Sequence, residues 1–240
     1  MIKIDKVTKT YNGNVTAIDN LSLDIKDGKI IGFIGLNGAG KTTLIKMMTG
    51  ILKPDSGTIT INGYDIEKDA LEAKYDIGYI TDNPDMFLRL TGIEFINFIS
   101  DIYRVSEKDR KERIKKLVNE FDLEDILDKP MIGYSHGSKQ KMMVIAALVH
   151  NPKVWILDEP MIGLDPKSAQ VLKNMMKEHV KEGNTVFFST HVLEIAEKLC
   201  DEIAIIDKGK IIYYGTLDNL VKKYKKKDLQ ELFLEVIKHD

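Results

Sequence analysis

The chain has 240 residues, of which 43% are hydrophobic and 30% are charged, so it is large enough to bury a sizeable core. Its formal net charge of −2 gives no overall attraction to nucleic acid or to an anionic membrane. The single cysteine, Cys200, excludes an internal disulfide, and the longest apolar run, residues 142–149, is far shorter than the roughly 20 residues that span a bilayer. Residues 1–6 show no signal-peptide pattern, so we expect a cytoplasmic protein.

Two strands are predicted near the start of the chain. Ile2 and Ile4 indicate the first strand, and alternating apolar residues at 21, 23 and 25 indicate the second. Tyr11 opens the turn between them and is expected to expose its ring. That ring could stack on a bound base or pack on its own sheet, and its position alone favours neither alternative.

The next segment, Gly35-Leu36-Asn37-Gly38-Ala39-Gly40-Lys41-Thr42, matches the phosphate-binding P-loop pattern G-x-x-x-x-G-K-[ST]. Its glycines allow a tight turn in which successive N–H groups point at a polyphosphate. Lys41 supplies a cation for the outer phosphates, and the hydroxyl of Thr42 can bind magnesium. A predicted buried strand precedes the loop and a predicted helix begins at Lys41, which argues against the alternative of a chance glycine-rich turn.

Beyond this helix the hydrophobic pattern changes. Residues 77–80 predict a short strand that leads into a loop beginning at Thr81-Asp82. From about residue 85 to 150 the apolar residues recur at helical spacing, and Thr91 with Glu94 forms a capping-box pattern. We therefore predict a helical insert between two halves of an α/β core.

Two carboxylates and a histidine follow predicted core strands. Asp158 and Glu159 come directly after the buried strand 154–157, at the kind of strand end where ligands bind in open α/β sheets. The first acid suits magnesium held through water and the second suits a base that activates water; a solvated acidic turn is the alternative. His191 follows the strand 184–188, where a lone histidine is more often structural but can also contact a γ-phosphate.

Asp165 and Pro166 predict the start of a helix that runs to about Lys181. At the end of the chain, residues 228–238 predict an amphipathic helix behind a basic run. We expect this last helix to pack on its own domain, and a partner or a membrane surface is the alternative.

These elements together resemble the nucleotide-binding subunit of an ABC transporter. Residues 134–138, Tyr-Ser-His-Gly-Ser, are similar to the family signature L-S-G-G-Q. Gly163-Leu164-Asp165 resembles the D-loop, and His191 resembles the switch histidine. The resemblance covers nearly the whole chain and is greatest to bacterial exporters that have a separate permease chain.

The resemblance implies a single ABC ATPase domain, residues 1–240, with a P-loop core, a mainly parallel sheet, an antiparallel β portion at the N-terminal side and a helical subdomain at about residues 85–150. It implies ATP and magnesium as cofactors. It also implies a homodimer or heterodimer in which each ATP lies between the P-loop of one subunit and the signature of the other. A transmembrane permease is the expected partner, at the cytoplasmic side of the membrane, and no nucleic acid is expected.

The resemblance assigns roles to individual residues. Glu159 would polarise the attacking water, His191 would position it, and Thr42, Asp82 and Asp158 would hold magnesium. The expected nucleotide contacts are Tyr11, Gly35, Leu36, Asn37, Gly38, Ala39, Gly40, Lys41, Thr42, Thr43, Ser135, Gly137 and Asp165.

The chain departs from the family pattern at four positions. Tyr134, His136 and Ser138 replace the leucine, first glycine and glutamine of the signature, and Asp82 stands where the family has the Q-loop glutamine. Soluble ABC ATPases are an alternative class. Those that act on ribosomes usually join two such domains, and those that act on DNA have long coiled coils; this sequence has one such domain and no sustained heptad pattern. A nucleotide-gated module without turnover is a third alternative, and the expected acid and histidine argue against it.

Overall fold

The computed structural model describes residues 1–81, 85, 87–224 and 233. Within these ranges the strands are β1 (Ile2–Tyr11), β2 (Val15–Ile25), β3 (Ile30–Ile34), β4 (Ser56–Ile61), β5 (Tyr64–Asp65), β6 (Ile77–Ile80), β7 (Val154–Leu157), β8 (Thr185–Thr190), β9 (Glu202–Asp207) and β10 (Lys210–Gly215). The helices are α1 (Lys41–Met48), α2 (Ala70–Tyr75), α3 (Gly92–Ile102), α4 (Glu107–Glu120), α5 (His136–Leu148), α6 (Pro166–Lys181), α7 (Leu193–Leu199) and α8 (Leu217–Tyr224), with short 3₁₀ turns at Glu124–Ile126 and Met131–Gly133.

The strands form two sheets that differ in direction. β2, β1, β4 and β5 make an antiparallel sheet in that order. The second sheet has the order β10-β9-β3-β8-β7-β6 and is parallel except for the pairing of β10 with β9. The predicted fold class, an α/β P-loop core with a mainly parallel sheet and an antiparallel portion contributed by the start of the chain, is confirmed.

The central strands of the parallel sheet are buried along their whole length. Every residue of β3, β7 and β8 is buried, which fits the mostly apolar composition of these strands. Because the strands are parallel, their carboxyl ends meet at one edge of the sheet. The P-loop, the two acids and the switch histidine follow these three ends, so the edge is where the predicted site residues converge.

Helices occupy much of the segment between the two halves of the core. α3 begins with the predicted capping box, in which Thr91 accepts from the N–H of Glu94 and the carboxylate of Glu94 accepts from the N–H of Thr91. The apolar faces of α3, α4 and α5 share one core with Trp155 of β7. The division of the chain into a single domain with a helical subdomain at about residues 85–150 stays a prediction.

Two predicted features fall outside the described residues. Asp82 is one, and most of the C-terminal amphipathic helix, residues 228–238, is the other. Within that helix Phe233 is described, and it is buried in a cluster with Ile34, Ile205 and Leu220. None of the helices within the described ranges is long and apolar enough to cross a membrane.

The buried histidine of α6 predicts acid sensitivity. His179 lies edge-on to Trp155, with ring centroids 5.7 Å apart, and burial lowers the pKa of His179 to about 4 from the ordinary 6.5. Between these values the unfolded chain binds a proton that the folded chain does not, so stability falls as the pH drops from about 6.5 to about 4. At pH 5 we expect His179 to lower the unfolding free energy by on the order of 2 kcal/mol relative to pH 7.

Urea unfolding of the wild type and of His179→Gln at pH 7 and pH 5 tests this expectation. The variant should lose about 2 kcal/mol less than the wild type between the two pH values, because its side chain does not titrate. An equal loss in both proteins would show that His179 does not cause the acid sensitivity.

Candidate functional site

The P-loop turns sharply between β3 and α1 because two of its glycines have a left-handed backbone. The φ angle is +83° at Gly38 and +110° at Gly40. Gly40 also lies against β2, since a methyl group there would stand 2.5 Å from the carbonyl oxygen of Ala17. It occupies the N-cap of α1 without any side-chain cap, so the first N–H groups of this helix are available to an anion.

Lys41 is buried and joins the P-loop to the acids. Its Nζ donates to the carbonyl oxygens of Gly35 at 2.8 Å and Leu36 at 3.3 Å. The same nitrogen lies 3.7 Å from Oε1 of Glu159. One ammonium group therefore connects two motifs that are far apart in the sequence, and the predicted convergence of the P-loop and the acidic strand end is present.

Ser189 contacts both acids, the side chain of Asp158 and the backbone of Glu159, which the sequence pattern did not predict. Its hydroxyl donates to Oδ1 of Asp158 at 2.6 Å, and its oxygen accepts from the N–H of Glu159 at 2.9 Å. Asp158 is fully buried, and the hydroxyl fixes the direction of its carboxylate. The available signal was a hydroxyl residue at the tip of a core strand, next to the predicted switch histidine.

Glu159 has an unusual backbone for a side chain of its size. Its φ angle is +48°, in the left-handed region that favours glycine. Oε1 lies 3.0 Å from Nδ1 of His191, and because a carboxylate can only accept, Nδ1 carries the proton and donates. The carboxylate is largely buried, whereas the ring of His191 is about half exposed. The hydrogen bond from His191 can thus fix the position of the Glu159 carboxylate next to the P-loop lysine.

The signature residues lie at the start of α5. Ser135 is the N-cap, and its Oγ accepts from the N–H of Ser138 at 3.1 Å. Gly137 packs against the next loop, since a methyl group there would stand 2.9 Å from the carbonyl oxygen of Gly163. The start of α5 therefore contacts residue 163 of its own chain, and Ser135 and Gly137 lie at a helix N-terminus that can favour an anion.

The predicted role of Asp165 as the N-cap of α6 is confirmed by its hydrogen bonds. Oδ1 accepts from the N–H of Ser168 at 3.0 Å and Oδ2 from its hydroxyl at 2.5 Å. These bonds from Ser168, with Lys141 Nζ at 3.6 Å, lower the pKa of Asp165 to about 2. Its predicted contact with a nucleotide stays a prediction.

The remaining predicted contacts lie on the rim of the P-loop or on α1. Tyr11 is 40% exposed at the end of β1, so its ring is available to a ligand. Leu36, Asn37 and Gly38 are exposed on the loop, Ala39 is buried beneath it, and Thr42 and Thr43 are half-buried in the first turn of α1.

Comparison with known proteins shows which family this chain belongs to. Residues 18–162 match the ABC transporter family. Over 221 residues the chain is 33% identical to the ABC transporter ATP-binding protein NatA of Bacillus subtilis, and the alignment covers 92% of this chain and 90% of NatA. The chain belongs to the ABC transporter family.

Solved structures of ABC transporter proteins share its fold. One is described as the ATP binding subunit of an ABC transporter, with a TM-score of 0.94 at 31% identity over 99% of each chain. Another is a dimeric ATP-binding cassette in a post-hydrolysis state, bound to ADP and Pi, with a TM-score of 0.81 at 26% identity over 90% of this chain and 99% of that one. This ABC protein is thus an ATP-binding subunit and an ATPase, the motor of a transporter.

The structure accounts for two departures from the ABC signature. Tyr134, in place of leucine, is buried in the core shared by α3, α4 and α5, and its hydroxyl donates to the carbonyl oxygen of Ile126. Ser138, in place of glutamine, puts its Oγ 2.9 Å from that of Ser135. Tyr134 thus packs its ring in the core, and Ser138 adds a polar contact at the start of α5.

Two glycines of the P-loop offer a matched test of its geometry. Gly40→Ala meets both an unfavourable φ and the carbonyl of Ala17, so we expect it to lower the unfolding free energy by about 2–4 kcal/mol. Gly38→Ala meets only the unfavourable φ, because nothing lies within 4 Å of the added methyl group, and should cost about 1 kcal/mol.

Urea unfolding of both variants without nucleotide measures the difference. The ABC fold should be clearly less stable with Gly40→Ala than with Gly38→Ala. Equal losses would contradict the close approach of Gly40 to β2.

Proposed function

We propose that two copies of this chain, or this chain and a similar one, pair head to tail and hydrolyse ATP between them. The observation that supports this is that one chain carries two predicted phosphate-binding elements, at the N-termini of two different helices and both with exposed residues. The P-loop lies at the end of β3, whereas the start of α5 packs against residues 163–165. A second chain could present its signature to ATP held by the first, and one solved cassette similar to this chain is a dimer bound to ADP and Pi.

Exposed apolar side chains support this pairing. Leu36 on the P-loop, Ile162 just before the D-loop and Val192 after the switch histidine are all exposed. Large apolar residues that surround polar functional groups are typical of surfaces covered by a partner. In the proposed dimer the second subunit would cover them.

In this proposal Glu159 is the general base. Water attacks the γ-phosphorus, the bond to the β-phosphate oxygen breaks, and a proton of the water passes to the carboxylate of Glu159. His191 donates to this carboxylate through Nδ1. A ring protonated on both nitrogens would also donate from Nε2 to a γ-phosphate oxygen, whereas an unprotonated Nε2 is an acceptor and could not bind it. Lys41 exchanges the carbonyl oxygens of its own loop for phosphate oxygens, which are stronger acceptors because they are charged.

The signature would bind the same phosphate from the other side. α5 has its N-terminus at an exposed surface, where the first N–H groups of a helix favour an anion. Ser135 and Gly137 would contribute these contacts, and the dipole of the helix would add to them.

We also propose that Mg²⁺ binds with the nucleotide. Thr42 offers a hydroxyl and Asp158 a buried carboxylate already oriented by Ser189, an oxygen donor set that fits magnesium when phosphate and water complete it. Asp82, whose role rests on the sequence alone, would add a contact through water. When bound, the ion neutralises charge that develops on the phosphates.

We propose that the subunit acts on a separate transmembrane permease from the cytoplasmic side, as a peripheral protein of an exporter-like system. NatA is named as an ABC transporter ATP-binding protein, and the most similar structure described above is named as a subunit of a transporter. These relatives favour transport over action on ribosomes or DNA.

ATP-driven dimerisation is testable with a base-deficient variant. Glu159→Gln removes the proton acceptor but keeps the shape of the side chain, so ATP with magnesium should trap a dimer that size-exclusion chromatography detects. Lys41→Ala in the same background is the control and should stay monomeric, because it removes the phosphate-binding cation. A Glu159→Gln protein that is monomeric in saturating ATP would refute the proposed dimer.

The stacking role of Tyr11 is testable by comparing two substitutions. Tyr11→Phe keeps the aromatic face and should bind ATP with nearly wild-type affinity, whereas Tyr11→Ala should lose about 1 kcal/mol of binding free energy. Equilibrium binding of a fluorescent ATP analogue measures both. The same affinity in all three proteins would leave Tyr11 as a structural residue of β1.

A further inference from the structure

His136 packs the start of α5 against the D-loop of the same chain. A methyl group at Gly163 would stand 2.2 Å from Cδ2 and 2.7 Å from Nε2 of the His136 ring. The φ angle of Gly163 is +80°, so this position is closed to larger residues both by its backbone and by the ring. The ring therefore occupies space that a glycine at position 136, as in the family signature, would leave open.

Two further contacts continue along the same helix. Gly137 lies close to the carbonyl oxygen of Gly163, and Nζ of Lys141, about one turn on, lies 3.6 Å from Oδ2 of Asp165. Residues 136 and 137 of α5 therefore contact residue 163, and residue 141, further along the helix, contacts residue 165. The first turns of α5 and residues 163–165 thus form one packed unit.

This unit is connected to Glu159 through a short run of tight turns. The N–H of Ile162 donates to the carbonyl oxygen of Glu159 at 3.2 Å, and the N–H of Leu164 donates to that of Met161 at 3.4 Å. These two bonds provide a short covalent and hydrogen-bonded path from Gly163 to Glu159. The backbone of Glu159 has a left-handed conformation, and its N–H donates to Oγ of Ser189.

We propose that His136 is a positioning residue that couples the signature to the catalytic acid of its own chain. The inference rests on the proposed dimer, in which the start of α5 contacts ATP held by the partner. When that ATP engages α5, the ring carries the shift to Gly163 and thereby to Glu159. Hydrolysis at one site then depends on the nucleotide at the other.

Three variants separate this coupling from a general disturbance of the helix. His136→Gly restores the family residue and removes the ring, and His136→Phe keeps the ring volume without the nitrogens. Lys139→Met is the matched control, because Lys139 lies in the same part of α5 but its ion pair is with Asp85, at 2.8 Å, and not with a D-loop residue.

Steady-state ATPase kinetics give the main readout. In His136→Gly we expect kcat to fall roughly tenfold, within the range that a misplaced reacting group costs, with KM for ATP unchanged. His136→Phe should keep most of the wild-type kcat, and Lys139→Met should match the wild type. In the Glu159→Gln background, His136→Gly should still form the ATP-dependent dimer.

The outcomes distinguish this inference from the proposed function. A wild-type kcat in His136→Gly, with the dimer intact, overturns the coupling role and leaves the proposed dimer standing. An equal loss in the Phe and Gly variants overturns coupling by packing of the ring. If Glu159→Gln does not dimerise with ATP, the proposed function fails and the inference fails with it.

A second test does not depend on the dimer. Gly163→Ala adds a methyl group that meets the ring of His136 in the wild type, whereas His136→Gly has no ring there. The substitution should therefore lower Tm more in the wild-type background than in the His136→Gly background. Thermal unfolding of the four proteins without nucleotide gives the comparison. Equal decreases in both backgrounds would show that the ring does not pack on Gly163.

Discussion

In-register pairing of three buried parallel strands sets the geometry of the site. Ile34 of β3 lies opposite Thr190 of β8, and Leu157 of β7 lies opposite Phe188 of β8. Neighbouring strands are about 4.8 Å apart, so the groups that follow them are held within reach of one another. A slip of one residue in either pair would turn buried side chains to the other face and separate Lys41 from the acid.

This constraint explains why much of the site is visible in the sequence. Buried parallel strands are continuous apolar runs, and the residues that come straight after such a run must lie at the same edge of the sheet. The P-loop and the acids satisfy this condition, and His191 follows the run 186–188 after two hydroxyl residues, so their convergence could be predicted. The caps at Thr91 and Asp165 could be predicted as well, because capping uses residues three apart in the sequence.

Short helices and contacts between loops could not be predicted in the same way. α2 and α7 have six and seven residues, too few to establish a helical period, and neither begins with a side-chain cap that would mark its start. The bonds of Ser189 and the packing of His136 on Gly163 join segments from different elements. Nothing in local spacing reports such a contact, because it depends on where the tertiary fold places each loop.

The left-handed backbone of Glu159 places the requirements of stability and of the proposed activity in conflict at one residue. Glycine, and to a lesser degree asparagine, adopt a φ angle of +48° at lower cost than glutamate does. Neither of these residues can accept a proton from water as a carboxylate does. Under the proposed role of Glu159 as general base, selection for stability would favour substitutions that relax this backbone and selection for turnover would remove them, so the strain would persist only while ATP hydrolysis is needed.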